Sequence, residues 1–156
     1  MSRLVKRTAA GAIIATALGV ATISQVGTEE GLRLRTYKDT VGVSTYCYGE
    51  TKNAVWGRVY TKAYCDELLL KRIDEFATKV EKCVKQPMSD KTEVSFVSFA
   101  YNIGQGGFCS SSTVRLYNQG RKVEACNAMM KWTKQRELIG RRTREKNLCL
   151  AGVKEG

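Results

Sequence analysis

The chain contains no histidine. That removes His-based nucleophile activation and the commonest metal ligand, and leaves mainly carboxylate or thiol chemistry. There is one proline, Pro87. The six cysteines, Cys47, Cys65, Cys83, Cys109, Cys126 and Cys149, all lie after residue 46, and none forms a C-x-x-C pair. An even, scattered set is what a disulfide framework in an oxidising compartment requires. No Lys/Arg-rich helix with interleaved aromatics and no zinc-finger spacing is present. Nucleic acid is therefore a poor partner.

Charge is also missing, but locally. From Thr8 to Thr28 there is no charged residue, and Arg3, Lys6 and Arg7 stand just before that run. Its 21 residues are about enough to cross a bilayer as a helix. Only four of them are Leu or Ile, and Ala, Gly, Thr, Ser and Gln make up most of the rest. The basic flank predicts a cytoplasmic N-terminus and an exported body. Three readings compete: a signal peptide cleaved near Gly19-Val20-Ala21, a permanent anchor, or an anchor weak enough to leave the bilayer uncut. The composition favours the third, with residues 1–28 as the anchor and residues 29–156 as the body.

The 156 residues suggest one domain with a real core. Lys and Arg outnumber Asp and Glu by 26 to 15, a net of +11. Without the three N-terminal cations the balance is 23 to 15, or +8, which favours an anionic partner such as a cell-wall polymer. Thr36 to Tyr60, rich in Tyr, Val, Thr and Gly, reads as a small irregular antiparallel sheet. Cys65, Leu68, Leu69, Ile73, Phe76, Val80 and Val84 then recur at helical spacing, with Thr61 as cap and Pro87 beyond the end. A second helix runs from Ser89 to Gly104. Further helices are expected over 112–119, 122–134 and 140–150. The fold class is α+β: a small antiparallel sheet lobe and a larger helical lobe joined by a long helix, with a cleft between them.

Glu30, Asp39 and Thr45 bring two carboxyls and a hydroxyl to one wall of that cleft. Cleavage of a glycosidic bond needs a protonated carboxyl for the leaving oxygen and an ionised one to activate water or stabilise the transition state. Of the fifteen pairings that six cysteines allow, Cys47–Cys65, Cys83–Cys109 and Cys126–Cys149 are favoured. They would tie sheet to long helix, that helix to the cleft turn, and the C-terminal helix to its neighbour.

The interval Glu30-x8-Asp39-x5-Thr45, with EGLRLRTYKD ahead of TYCYGET, resembles the phage-type lysozymes of glycoside hydrolase family 24. YTKAYCDELL, FAYNIGQGGF and GRRTREKNLCL resemble further segments of that family, so the likeness runs over roughly residues 29 to 150. The interval selects Glu30 over Glu29. The resemblance implies the lysozyme-like fold and a muramidase that needs no cofactor or metal. Glu30 is the implied proton donor; Asp39 and Thr45 position water, with inversion at the anomeric carbon. That geometry leaves roughly 6.5–9.5 Å between the carboxyls. The water-handling pair favours hydrolysis over lytic transglycosylation. Tyr101 and Asn102 are expected to line the cleft, with Ser111 and Ser112 as further substrate contacts.

One departure stands out. Relatives usually carry His where this chain has Glu50, and an acid where it has Arg72; a sign-reversed structural pair is expected. The likeness narrows to endolysins with a signal-anchor-release segment. These wait in the host inner membrane and act as soluble periplasmic enzymes on peptidoglycan, here as monomers. With no cysteine before residue 47, control would be topological rather than by thiol exchange. The alternative is a membrane-anchored wall-binding or membrane-disrupting protein with a dead site.

Overall fold

The computed structural model describes all residues from Met1 to Gly156. Its first elements lie where the uncharged run begins. Strands β1 (Val5–Arg7) and β2 (Ile13–Ala15) pair antiparallel, Val5 opposite Ala15. Helix α1 (Ala17–Glu30) follows, capped by Thr16, whose hydroxyl accepts from the Gly19 amide. Residues 1–28 are thus a hairpin and a helix packed on the body, and no helix in the protein is long and apolar enough to cross a membrane.

The packing of α1 explains its small residues. A Cβ on Gly19 would lie 2.0 Å from the Leu4 carbonyl oxygen, so only glycine lets the N-terminal strand cross the helix here. Leu4 and Val26 are fully buried, as is Thr22, whose hydroxyl bonds back to the Leu18 carbonyl. The N-terminal residues also reach the helical lobe. The Ser2 amide and hydroxyl both donate to Asp74. Arg3 donates through its backbone to Glu81 and through its guanidinium to Asp90 and Glu93.

The sheet lobe is smaller than its composition suggests. It has two strands, β3 (Arg33–Lys38) and β4 (Ser44–Cys47), plus single bridges from Arg35 to Val59 and from Tyr46 to Glu50. Helix α2 (Lys62–Cys83) is the long connection, with Thr61 as its cap. The helical lobe forms around α3 (Asp90–Ile103), whose residues 92–100 are all buried. Around it lie α1, α2, α4 (Gln105–Cys109), α5 (Ser112–Asn118), α6 (Lys122–Ala128) and α7 (Leu138–Glu155). Phe96, Phe99, Phe108 and Tyr117 fill the interior in tilted and edge-on contacts, the arrangement their quadrupoles prefer.

The expected helix over 122–134 is cut short at Ala128; a 3-10 turn takes Met129–Lys131. The last helix starts at Leu138, two residues earlier than its pattern, and runs to Glu155. Three disulfides join Cys47 to Cys65, Cys83 to Cys109 and Cys126 to Cys149.

Candidate active site

Glu30 is the last residue of α1, and the helix delivers its carboxyl beneath the sheet lobe. A Cβ on Gly49 would lie 2.5 Å from Glu30 Oε2, so the bare backbone of that turn makes room for the acid. On the other side Arg141 donates from a terminal guanidinium nitrogen to Glu30 Oε1 at 2.7 Å. The Glu30 side chain keeps only 17% of its exposure. Burial raises its pKa above the ordinary value and outweighs the lowering by Arg141. The carboxyl is therefore biased toward its protonated, donating form.

Arg141 is itself fixed. It donates to Glu145 Oε2 at 3.2 Å and to the Ser98 carbonyl at 3.1 Å, and Ser98 donates to the same Glu145 oxygen. Glu145 is fully buried and is shared with Arg142. Arg142 in turn stacks over Phe99, 4.9 Å from the ring centre, and donates to Asn102 Oδ1 and the Trp132 carbonyl. Beside this, Glu29 pairs with Arg144 at 2.6 Å. Adjacent glutamates thus hold different arginines.

Asp39 follows β3, and its carboxylate accepts from the Val41 and Val43 amides at 3.0 and 2.8 Å. These bonds lock the turn into β4. Thr45, buried on β4, pairs across the hairpin with Tyr37, and its hydroxyl donates to the Val43 carbonyl at 3.0 Å. Asp39 and Thr45 therefore belong to one hairpin, Asp39 bound to the Val43 amide and Thr45 to the Val43 carbonyl. Glu30 thus stands on a helix end beside the Gly49 turn, while Asp39 and Thr45 are set by bonds within their own hairpin.

The other expected residues divide. Tyr101 lies near Glu30; its hydroxyl donates to the Tyr48 carbonyl at 3.0 Å, and burial with the nearby Glu30 and Glu50 charges pushes its pKa up, so it stays neutral. Asn102 is held by Arg142, and its carbonyl oxygen is already engaged. Ser111 is a buried helix cap that accepts from Val114 and donates to Phe108. Ser112 accepts from Lys131 at 3.4 Å. Glu50 and Arg72 meet in a two-pronged ion pair at 2.6 and 3.2 Å, with Glu50 also accepting from the Thr51 and Lys52 amides. The Arg141–Glu145 support was not singled out in the sequence. Its signal was there: two opposite charges four apart on one helix. No group of three or more acids or cysteines could hold a metal ion.

Comparison with known proteins agrees with this frame. The pattern of the family described as phage lysozyme matches residues 27–146. A SAR-endolysin of bacteriophage PS119 is 36% identical, over 97% of this chain and 98% of its own. Among solved structures, the muramidase domain of SpmX from Asticaccaulis excentricus is 32% identical, with a TM-score of 0.78 over 83% of this chain and 95% of that one. An endolysin from Escherichia coli O157:H7 phage FAHEc1 superimposes with a TM-score of 0.81 at 28% identity, over 86% of this chain and 94% of that one. With the family pattern covering most of its length, the chain belongs to the phage lysozyme family, as a peptidoglycan-lysing endolysin.

Proposed function

We propose that Glu30 is the general acid of a muramidase that hydrolyses the β-1,4 bond between N-acetylmuramic acid and N-acetylglucosamine in peptidoglycan. The carrying observation is the setting of Glu30: mostly buried, raised in pKa, and held at 2.7 Å by an arginine that is itself fixed. Glu30 donates its proton to the leaving glycosidic oxygen. Asp39 takes a proton from water on the opposite face of the sugar, and Thr45 helps hold that water. The configuration at the anomeric carbon inverts.

Residues 1–28 act first as a signal-anchor in the host inner membrane, spanning through 8–28, with the N-terminus cytoplasmic. After release they fold as the hairpin and α1, and the soluble monomer works in the periplasm. The uncharged run, its small residues and the likeness to SAR-endolysins support this reading. So does the position of Glu30 at the end of α1, since a helix still in lipid keeps the acid from its hairpin partner.

Muropeptide analysis of digested sacculi tests the chemistry. Hydrolysis leaves reducing muramic acid ends; anhydro ends would indicate a transglycosylase instead. Glu30→Gln is expected to slow product release by at least about 10²-fold.

A further inference from the structure

The sheet lobe carries a second recess that the catalytic chemistry does not use. Thr45 and Tyr46 are consecutive on β4, so their side chains point to opposite faces of the sheet. Thr45 belongs to the catalytic face. On the other face Tyr46, Tyr60 and Tyr64 stack in series, with ring centres 4.5 and 5.3 Å apart and planes tilted by 20° and 25°. The stack borders an open cavity of about 280 Å³, rimmed also by Lys52, Asn53 and Arg58. That is near the lower end of ligand pockets, roughly 300–1,000 Å³, and suits a single sugar or a short peptide end.

Its charges are unbalanced. Both acids at the rim, Glu50 and Glu75, are held by Arg72. Arg58 is exposed and has no carboxylate or carbonyl partner for its guanidinium. Instead it lies over Tyr60, 4.9 Å from the ring centre, and beside Tyr64 at 6.0 Å. The rings hold the guanidinium in place and leave its donor edge open, which favours a two-pronged bond to a carboxylate. Lys52 is exposed and its ammonium is unpaired, while its carbonyl is tied down by the Tyr46 hydroxyl at 2.7 Å. Tyr64, the outermost ring, is 43% exposed and offers a free face.

We infer that this recess is an accessory site for the carboxylate-bearing peptide stems of peptidoglycan, separate from the catalytic cleft. This rests on the peptidoglycan reading above. A stem carboxylate lies between Arg58 and Lys52, and the adjoining peptide or sugar lies against Tyr64. Because the recess faces away from Asp39 and Thr45, it holds a neighbouring stem while another strand is cut.

The test uses the full-length Glu30→Gln protein, titrated with a soluble disaccharide–tripeptide that carries free carboxylates. The Tyr60 and Tyr64 ring resonances are expected to shift on binding. Adding Arg58→Gln and Lys52→Gln should abolish those shifts and weaken retention on purified sacculi by about tenfold, with the unfolding midpoint unchanged; Arg58→Lys should restore part of the retention. Stem carboxylates converted to amides should remove the tyrosine shifts. Equal tyrosine shifts with a stem-free disaccharide, or undiminished retention after the double substitution, would overturn the assignment. So would tyrosine shifts seen with phosphatidylglycerol vesicles but not with the stem ligand. Failure of the wild-type enzyme to release reducing ends sinks the lysozyme reading alone, because the titration does not depend on cleavage.

Discussion

At Glu30 two influences oppose each other: burial disfavours the charged carboxylate, and Arg141 favours it. The net shift is upward, so Glu30, the proposed general acid, loses its proton at a higher pH than an exposed glutamate does. Activity should therefore fall as pH rises through that raised value. Replacing Arg141 by Met removes the opposing cation, and the basic limb of kcat/KM against pH should move further up. The same change leaves Glu145 with one arginine fewer, so a lower unfolding midpoint should accompany it. Glu30→Gln keeps the shape but cannot donate; a loss of about 10²–10⁴-fold in the rate of reducing-end release is expected. At Gly49, alanine would drive a methyl group to within 2.5 Å of the Glu30 carboxyl. Gly49→Ala should therefore reduce kcat sharply while the fold persists.

The long helix α2 was the most legible element. Its apolar spacing and Thr61 cap are local signals, and the helix starts at Lys62, beside its cap. Thr61 was readable because capping depends on one side chain and one nearby amide. The hairpin of β1 and β2 was not readable. Three-residue strands carry too little alternation, and the hairpin is seated where Leu4 crosses Gly19 of α1, a contact between residues fifteen apart. The Glu30–Asp39–Thr45 interval, which carries the proposed site, is a local sequence signal. The support of Glu30 is not, because Arg141 reaches it across 111 residues of chain. Ser111 caps α5, and a serine at a helix start and a serine in a cleft look alike in one dimension.

Docking of the first elements is the point where composition and packing meet. Leu4→Ala removes a fully buried side chain and should cost about 2–4 kcal/mol. Gly19→Ala puts a methyl against the Leu4 carbonyl and should loosen the same contact, although it makes the segment more apolar. Limited proteolysis should cut both variants within residues 1–28 faster than wild type. Equal resistance would show that the close crossing at Gly19 is not what holds the hairpin.

Across the whole molecule, the pH response depends on a second buried acid. Glu93 is fully buried, and its Oε1 finds no donor among its neighbours. Burial, with Glu81 beside it, raises its pKa from 4.5 to about 8, against the lowering by Arg3. A protonated Glu93 can donate to Glu81, which a carboxylate cannot. The folded protein therefore holds more protons than the unfolded chain between about pH 4.5 and 8, so this group makes stability fall as pH rises through that window. Arg3→Ala should lower the unfolding midpoint more at pH 8 than at pH 5, since the cation matters most once Glu93 ionises. Equal losses at both pH values would remove Glu93 from the explanation.

The three disulfides lie between Cys47 and Cys149, so every covalent cross-link falls outside the first 46 residues. Those residues carry Glu30, Asp39 and Thr45. Opening the first 46 residues needs no cross-linked loop to yield, so they are expected to open more readily than the stapled part. Amide hydrogen exchange should be faster in α1 and β3 than in α3. On slow heating, the capacity to cut sacculi should vanish at a temperature where far-ultraviolet circular dichroism still reports most of the helix.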